Sequence, residues 1–190
     1  LCDESEVVHL SPQGRDEIVR HPAADLVEYR LGRVAEWSHA RFRLDERFVQ
    51  LSLLVDLGEE SPAGRWQEQK RRFGGLRQAL DEIPDPALVL LGPPGSGKST
   101  LLRHFELQAA IDGLRDPAGA LTFYVSLNQF APGLPDAPAP EPGAWLAERW
   151  AARHPCLQTL DELLADGRMV LLLDALNEMP HRDGADYRER

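Results

Sequence analysis

The run Gly92-Pro93-Pro94-Gly95-Ser96-Gly97-Lys98-Ser99-Thr100 constrains this chain more than any other feature; the apolar stretch Ala87 to Leu91 precedes it and a helix-like pattern follows. The spacing G-x-x-x-x-G-K-[ST] does chemistry only where a buried strand aims the loop and a helix N-terminus receives an anion. Both neighbours are legible here. Glycines at 92, 95 and 97 let the backbone take a tight, partly positive-φ path that turns successive N–H groups into one concavity. Pro93 and Pro94 stiffen the loop and donate no hydrogen bond, so the amides offered to phosphate are expected from Gly95, Ser96, Gly97, Lys98, Ser99 and Thr100. Lys98 is expected to reach the β- and γ-phosphates, and the Ser99 hydroxyl to complete the coordination of Mg²⁺. Thr100 is expected to cap the helix start.

Composition sets the class of molecule around this loop. With 43% hydrophobic and 27% charged residues among 190, the chain can bury one sizeable core. It begins at Leu1 and stops in a charged run soon after a strongly apolar strand, so it is expected to be a piece of a longer protein. A net charge of −10 argues against direct nucleic-acid binding and against acidic membranes, either of which would need a positive field. The basic residues Arg65, Lys70, Arg71, Arg72 and Arg77 fall in an expected helix and read as a solvated face. Cys2 and Cys156 have no metal-ligand spacing, which fits a reducing, cytoplasmic setting. His104, His154 and His181 read as ordinary surface or helix histidines. No stretch approaches the roughly 20 apolar residues of a membrane span, and no signal peptide is seen.

Three segments are expected: a linker or domain tail over 1–22, an N-terminal helical and strand extension over 23–83, and the phosphate-loop domain over 84–190. Leu1 to Arg20 shows no clear period. Leu26, Tyr29, Val34 and Trp37 recur at helical spacing, Phe48 to Leu57 reads as a strand, and Arg65 to Ile83 reads as a helix broken at Gly74-Gly75. After the loop, Leu101, Leu102, Phe105 and Ala109 mark one face of a helix ending near Gly113. Leu121 to Leu127 is the next strand, and the proline-rich segment Pro132 to Gly143 is a surface loop. Leu146 and Trp150 mark a short helix. Thr159 with Glu162 forms a capping box for another, ended by Gly167, and Met169 to Leu173 is a fully apolar strand.

Strands alternating with helices, and apolar on both faces, predict an α/β fold: a three-layer parallel sheet flanked by helices, with a mainly helical N-terminal extension. Ligands in such sheets bind at the carboxyl ends of the strands, which puts the phosphate loop and the residues after Leu173 at one edge. Asp174 ends the Met169 strand, where an acid holding Mg²⁺ through its water shell is expected opposite Ser99. An Asp there also caps a turn, so the phosphate loop is what gives it meaning. Glu178, four residues on, is a candidate to accept a proton from, or to orient, the water that attacks the γ-phosphate; its other reading is a solvated loop carboxylate.

The sequences Leu171-Leu172-Leu173-Asp174-Ala175-Leu176-Asn177-Glu178-Met179-Pro180 and Gly92 to Arg103 together closely resemble the NACHT family, signal-transduction NTPases of the STAND group, in a bacterial spelling. Members typically have a small residue after the metal-binding Asp and acidic residues three and four positions beyond it. Ala175 and Glu178 match, whereas Asn177 departs from the commoner Asp. Phe123 to Asn128 is similar to the family's second strand, and Arg47 to Asp56 resembles the strand that often precedes the domain, so the resemblance runs roughly from Asp25 to Pro180. An AAA+ ATPase would usually carry Glu at position 175, a small GTPase Gly at 177, and an ABC protein a Ser-Gly-Gly motif; none fits.

The resemblance implies ATP and Mg²⁺ as ligands, with Lys98 and Glu178 in hydrolysis. It also implies a nucleotide-driven switch within a larger protein that self-oligomerises, in bacteria often in phage defence or stress signalling. A further strand carrying a sensor residue normally lies between the phosphate-loop strand and the Asp174 strand and would fall after Arg190. The sheet is therefore expected to be incomplete at its C-terminus, and these 190 residues to be marginally stable and poor at hydrolysis by themselves. The residues do not read adenine over guanine. A non-hydrolysing scaffold that keeps nucleotide as a structural ligand, or another phosphate-loop ATPase, is the alternative.

Overall fold

A computed structural model describes residues 11–38, 51–56, 66–130 and 140–179, with the strands at 51–56 and 66–72 as backbone. The chain divides into two compact units: residues 1–42 with 106–190, and residues 43–105.

In the larger unit, helix α1 (Pro12–Arg20) starts at Ser11, whose Oγ accepts the Gly14 N–H. It buries no residue and so carries no apolar stripe, which is why the sequence there looks aperiodic. Helix α2 (Leu26–Trp37) is capped by Asp25, which accepts the Glu28 N–H at 2.9 Å, and it buries Tyr29, Leu31, Val34 and Trp37. Strands β3 (Leu121–Ser126) and β4 (Met169–Asp174) pair in parallel, Leu121 opposite Met169 and Ser126 opposite Asp174. Two helices complete the unit. One, Pro142–Arg153, opens on Glu141, whose carboxylate accepts the Gly143 and Ala144 N–H groups, so the expected loop ends earlier than Gly143. The other, Leu160–Ala165, carries the expected capping box, with Thr159 Oγ1 accepting the Glu162 N–H and Glu162 returning to the Thr159 N–H at 2.9 Å.

Their shared core is aromatic. Trp150, only 1% exposed, meets Phe123 edge-on at 5.1 Å and is tilted against Tyr29 at 5.4 Å, with Leu121, Leu160 and Leu163 filling the remainder. The Tyr29 hydroxyl donates to the Thr122 carbonyl, and burial pushes its pKa up. Arg30 is also buried, donating to the carbonyls of Pro117 and Gly119 at 3.1 Å each. It crosses the following long helix at Gly113, where an added Cβ would lie 2.4 Å from its Nε. Gly113 is thus a point of close approach inside that helix, not its end.

His154 follows the helix Pro142–Arg153, where the helix dipole favours an imidazolium. Burial opposes this and dominates: together with the positive charges of Arg33 and Arg153 it lowers the His154 pKa to about 3, against an ordinary value of 6.5. Between these values the unfolded chain binds the proton and the folded one does not. Stability from this group is therefore complete above pH 6.5 and falls as pH drops toward 3, by up to ~1.4 kcal/mol per pH unit. Buried Glu106, whose pKa burial raises, contributes with the opposite sign. His154→Phe keeps a ring against Tyr29 and Trp150, so urea midpoints at pH 7 and pH 5 should differ less for the variant than for the natural chain.

In the smaller unit, β1 (Leu51–Asp56) and β2 (Trp66–Phe73) form an antiparallel ladder with an irregularity between Ser52 and Leu54. Helix α3 (Leu76–Glu82) follows Gly74-Gly75. The helix expected from Arg65 to Ile83 is therefore half strand. Gln, Glu, Lys and Arg favour helix by intrinsic propensity, but the ladder offered by β1 overrides it. Lys70, Arg71 and Arg72 stand on β2 and Arg77 on α3, while Arg65 lies outside the described residues. The ends of the expected Phe48–Leu57 strand, and residues 132–139 of the proline-rich loop, also lie outside them.

The stretch Ala87 to Leu91 is not a strand. It has no ladder partner among the described residues, and Val89 and Leu91 are 73% and 59% exposed. An extended segment becomes a strand only when a neighbour takes its N–H and C=O groups. Among the described residues the parallel sheet consists of β3 and β4, short of the expected three-layer sheet. Helix α4 (Lys98–Arg115) follows the glycine-rich run and ends two residues beyond Gly113. The helices Pro142–Arg153 and Leu160–Ala165 are α5 and α6.

Candidate functional site

The glycine-rich loop lies in the unit of residues 43–105, and Asp174 and Glu178 lie in the other. Gly95 and Gly97 adopt φ of 75° and 90°, a left-handed path that costs a residue with a Cβ about 1–2 kcal/mol. A turn precedes them, with the Ser96 N–H donating to the Pro93 carbonyl at 3.2 Å, and the Gly97 carbonyl accepts the Leu101 N–H at 2.8 Å, opening α4. Gly97 therefore takes the capping position expected of Thr100, which is the third residue of the helix. Gly92 through Ser96 are exposed; Lys98, Ser99 and Thr100 are half-buried. The Lys98 ammonium folds over the loop, donating to the carbonyls of Gly92 at 2.8 Å and Pro93 at 3.0 Å.

Asp174 ends β4, half-buried. Its Oδ1 accepts the Ala175 N–H at 2.9 Å, and its Oδ2 accepts the hydroxyl of Tyr124 from β3. Ala175 then turns left-handed, with φ 61° and ψ 35°. Strain of this kind in a residue other than glycine is concentrated at functional turns. The 3₁₀ turn Leu176–Glu178 follows and packs beside the matching turn Leu127–Gln129 at the end of β3. Asn177 and Glu178 are exposed on it.

The sequence reading gave no site role to Tyr124, which touches Asp174, or to Glu106 and Trp37, which hold Tyr124. Glu106 on α4 is fully buried, its Oε2 accepting Trp37 Nε1–H at 2.6 Å and its Oε1 the Tyr124 backbone N–H at 3.2 Å. Burial raises its pKa, while the nearby Arg33 guanidinium and the Trp37 hydrogen bond pull it back. Trp37 in turn meets the Tyr124 ring edge-on at 5.3 Å. One signal was present: Glu106 falls four residues after Leu102 and three before Ala109, on the apolar side of the helix. A cleft of about 100 Å³ lies beside this group, lined by Arg33, Glu36, Trp37, Tyr124, Ser126 and Arg149 among others. It is smaller than the about 300–1,000 Å³ of ordinary small-molecule pockets, so it is not where a nucleotide would sit.

Left-handed glycines ahead of a long helix, and a carboxylate ending a parallel strand, mark the phosphate-loop class of nucleotide-binding proteins. The family model for the NACHT domain matches residues 87–190, more than half of the chain, and the chain belongs to the NACHT family. The NACHT domain is a nucleotide-binding NTPase domain. Comparison with curated proteins and with solved structures gave no match. No helix among the described residues is long and apolar enough to cross a membrane.

Proposed function

We propose that this chain is the nucleotide-binding part of an ATP-driven switch, with Mg²⁺ as the accompanying ion. The observation that carries the reading is the loop: Gly95 and Gly97 are held left-handed immediately ahead of a helix of 18 residues whose first residue is Lys98. Amides from Gly95 to Thr100 would cradle phosphate, the Ser96 N–H leaving or sharing the Pro93 carbonyl, and Lys98 would exchange the carbonyls of Gly92 and Pro93 for phosphate oxygens.

The chain's oxygen donors suit Mg²⁺. Ser99 offers a hydroxyl, and Asp174 a carboxylate oriented by a hydrogen bond at each oxygen, as suits a group that grips a hydrated ion through water. When bound, the ion would neutralise the charge that develops on the phosphates. Glu178 would orient the attacking water. The extended residues 87–91 would join a three-layer parallel sheet once a partner strand meets them. Action in the cytoplasm, self-oligomerisation and a signalling or defence role belong to this proposal through the resemblance of the sequence to its family.

The reading is tested by equilibrium binding of a fluorescent ATP analogue with Mg²⁺ and with a chelator. Asp174→Asn should retain metal-free binding and raise the Mg²⁺ concentration required for the metal-dependent gain by about 10-fold or more. An unchanged Mg²⁺ requirement would sink the assignment of Asp174.

A further inference from the structure

The carboxylate of Asp174 is gripped from an adjacent strand, and the grip is built into the sheet register. Asp174 pairs with Ser126, and Tyr124 lies two residues back along β3 on the same face. That diagonal is within reach of an aromatic side chain, and the Tyr124 hydroxyl spans it to Asp174 Oδ2.

Tyr124 is itself fixed on two sides. Its ring is held edge-on by Trp37, and its backbone N–H by Glu106 Oε1 at 3.2 Å. Glu106 is anchored in turn by Trp37 Nε1–H at 2.6 Å. The N-terminal helix α2, the helix α4 that begins at Lys98, and the strand end carrying Asp174 are thereby joined through three side chains.

We propose that Tyr124 is a positioning residue for Asp174: with its hydroxyl on Oδ2 and the Ala175 N–H on Oδ1, it fixes the plane in which the carboxylate meets Mg²⁺-bound water. This rests on the reading of Asp174 as the metal-side carboxylate. Outer partners of direct metal ligands typically contribute about 10- to 100-fold to metal affinity; Asp174 would reach the ion through water, which puts Tyr124 one step further out and its effect at the low end.

Tyr124→Phe removes one hydroxyl and keeps the ring against Trp37, so the variant should fold with nearly the natural thermal midpoint. The readout is the Mg²⁺ concentration at half of the metal-dependent gain in affinity for a non-hydrolysable ATP analogue, measured beside the metal-free affinity. Tyr124→Phe should shift the Mg²⁺ midpoint upward about 10-fold and leave metal-free affinity unchanged. A role confined to closing the end of the sheet would lower the thermal midpoint and leave the Mg²⁺ midpoint in place. That result overturns the proposal if Asp174→Asn shifts the Mg²⁺ midpoint in the same assay. If Asp174→Asn also leaves it in place, the metal role of Asp174 falls, and the role of Tyr124 falls with it.

Discussion

Replacing Lys98 by alanine is expected to weaken nucleotide binding about 10- to 100-fold while leaving thermal stability nearly unchanged. A hydrogen bond to a charged group is worth about 1.5–3 kcal/mol, and each 1.4 kcal/mol is a factor of ten in affinity. The loss is kept to that range because the loop amides continue to bind phosphate without the lysine. Stability should barely move, since the Lys98 hydrogen bonds go to carbonyls of the exposed loop residues Gly92 and Pro93. Fluorescence anisotropy with a labelled ATP analogue, beside a thermal melt of the same samples, checks both halves. Unaltered affinity would mean that the ammonium does not meet the phosphates.

Trp150→Ala is expected to have the opposite profile, removing about 3–5 kcal/mol of stability. Trp150 is 1% exposed and lies among Phe123, Tyr29 and His154, so truncation leaves a cavity that rings on several elements cannot collapse to fill. Its indole N–H also donates to the Gln158 carbonyl at 2.8 Å, an acceptor that would lose its partner. Small domains are stable by only about 5–15 kcal/mol, so the urea midpoint should fall steeply. A loss below about 1 kcal/mol would show that α5 does not anchor this core. The pair of variants separates the loop, proposed to bind nucleotide, from the aromatic core that packs against β3 and β4.

The parts of this molecule that sequence reading recovered are those encoded over a few neighbouring residues. The capping box at Thr159 and Glu162, the apolar strands at 121–126 and 169–174, and the glycine spacing from 92 to 97 each carry their own signal. What it missed depends on partners remote in sequence. Trp66 to Phe73 is rich in residues that favour helix and becomes a strand through pairing with β1, while Ala87 to Leu91 looks like a strand and lacks a ladder among the described residues. The site divides the same way. Lys98, Ser99 and Asp174 are proposed from spacing alone, whereas the Tyr124 contact spans 50 residues and exists only through the β3–β4 register. Helix α1 had a local signal, Ser11 before Pro12, but no apolar period to support it.

The crossing of Arg30 over Gly113 limits how this sequence can change over time. A methyl group at 113 would stand 2.4 Å from the Arg30 Nε, so the guanidinium would have to leave before any larger residue could be accepted there. If position 30 shrinks first, the carbonyls of Pro117 and Gly119, just ahead of β3, lose their donor. Shortening Arg30 makes room at 113 but leaves those carbonyls without its donor, so the joint change keeps that cost. The two positions, 83 residues apart in the chain, are thereby coupled: a substitution that gives those carbonyls another donor would release both.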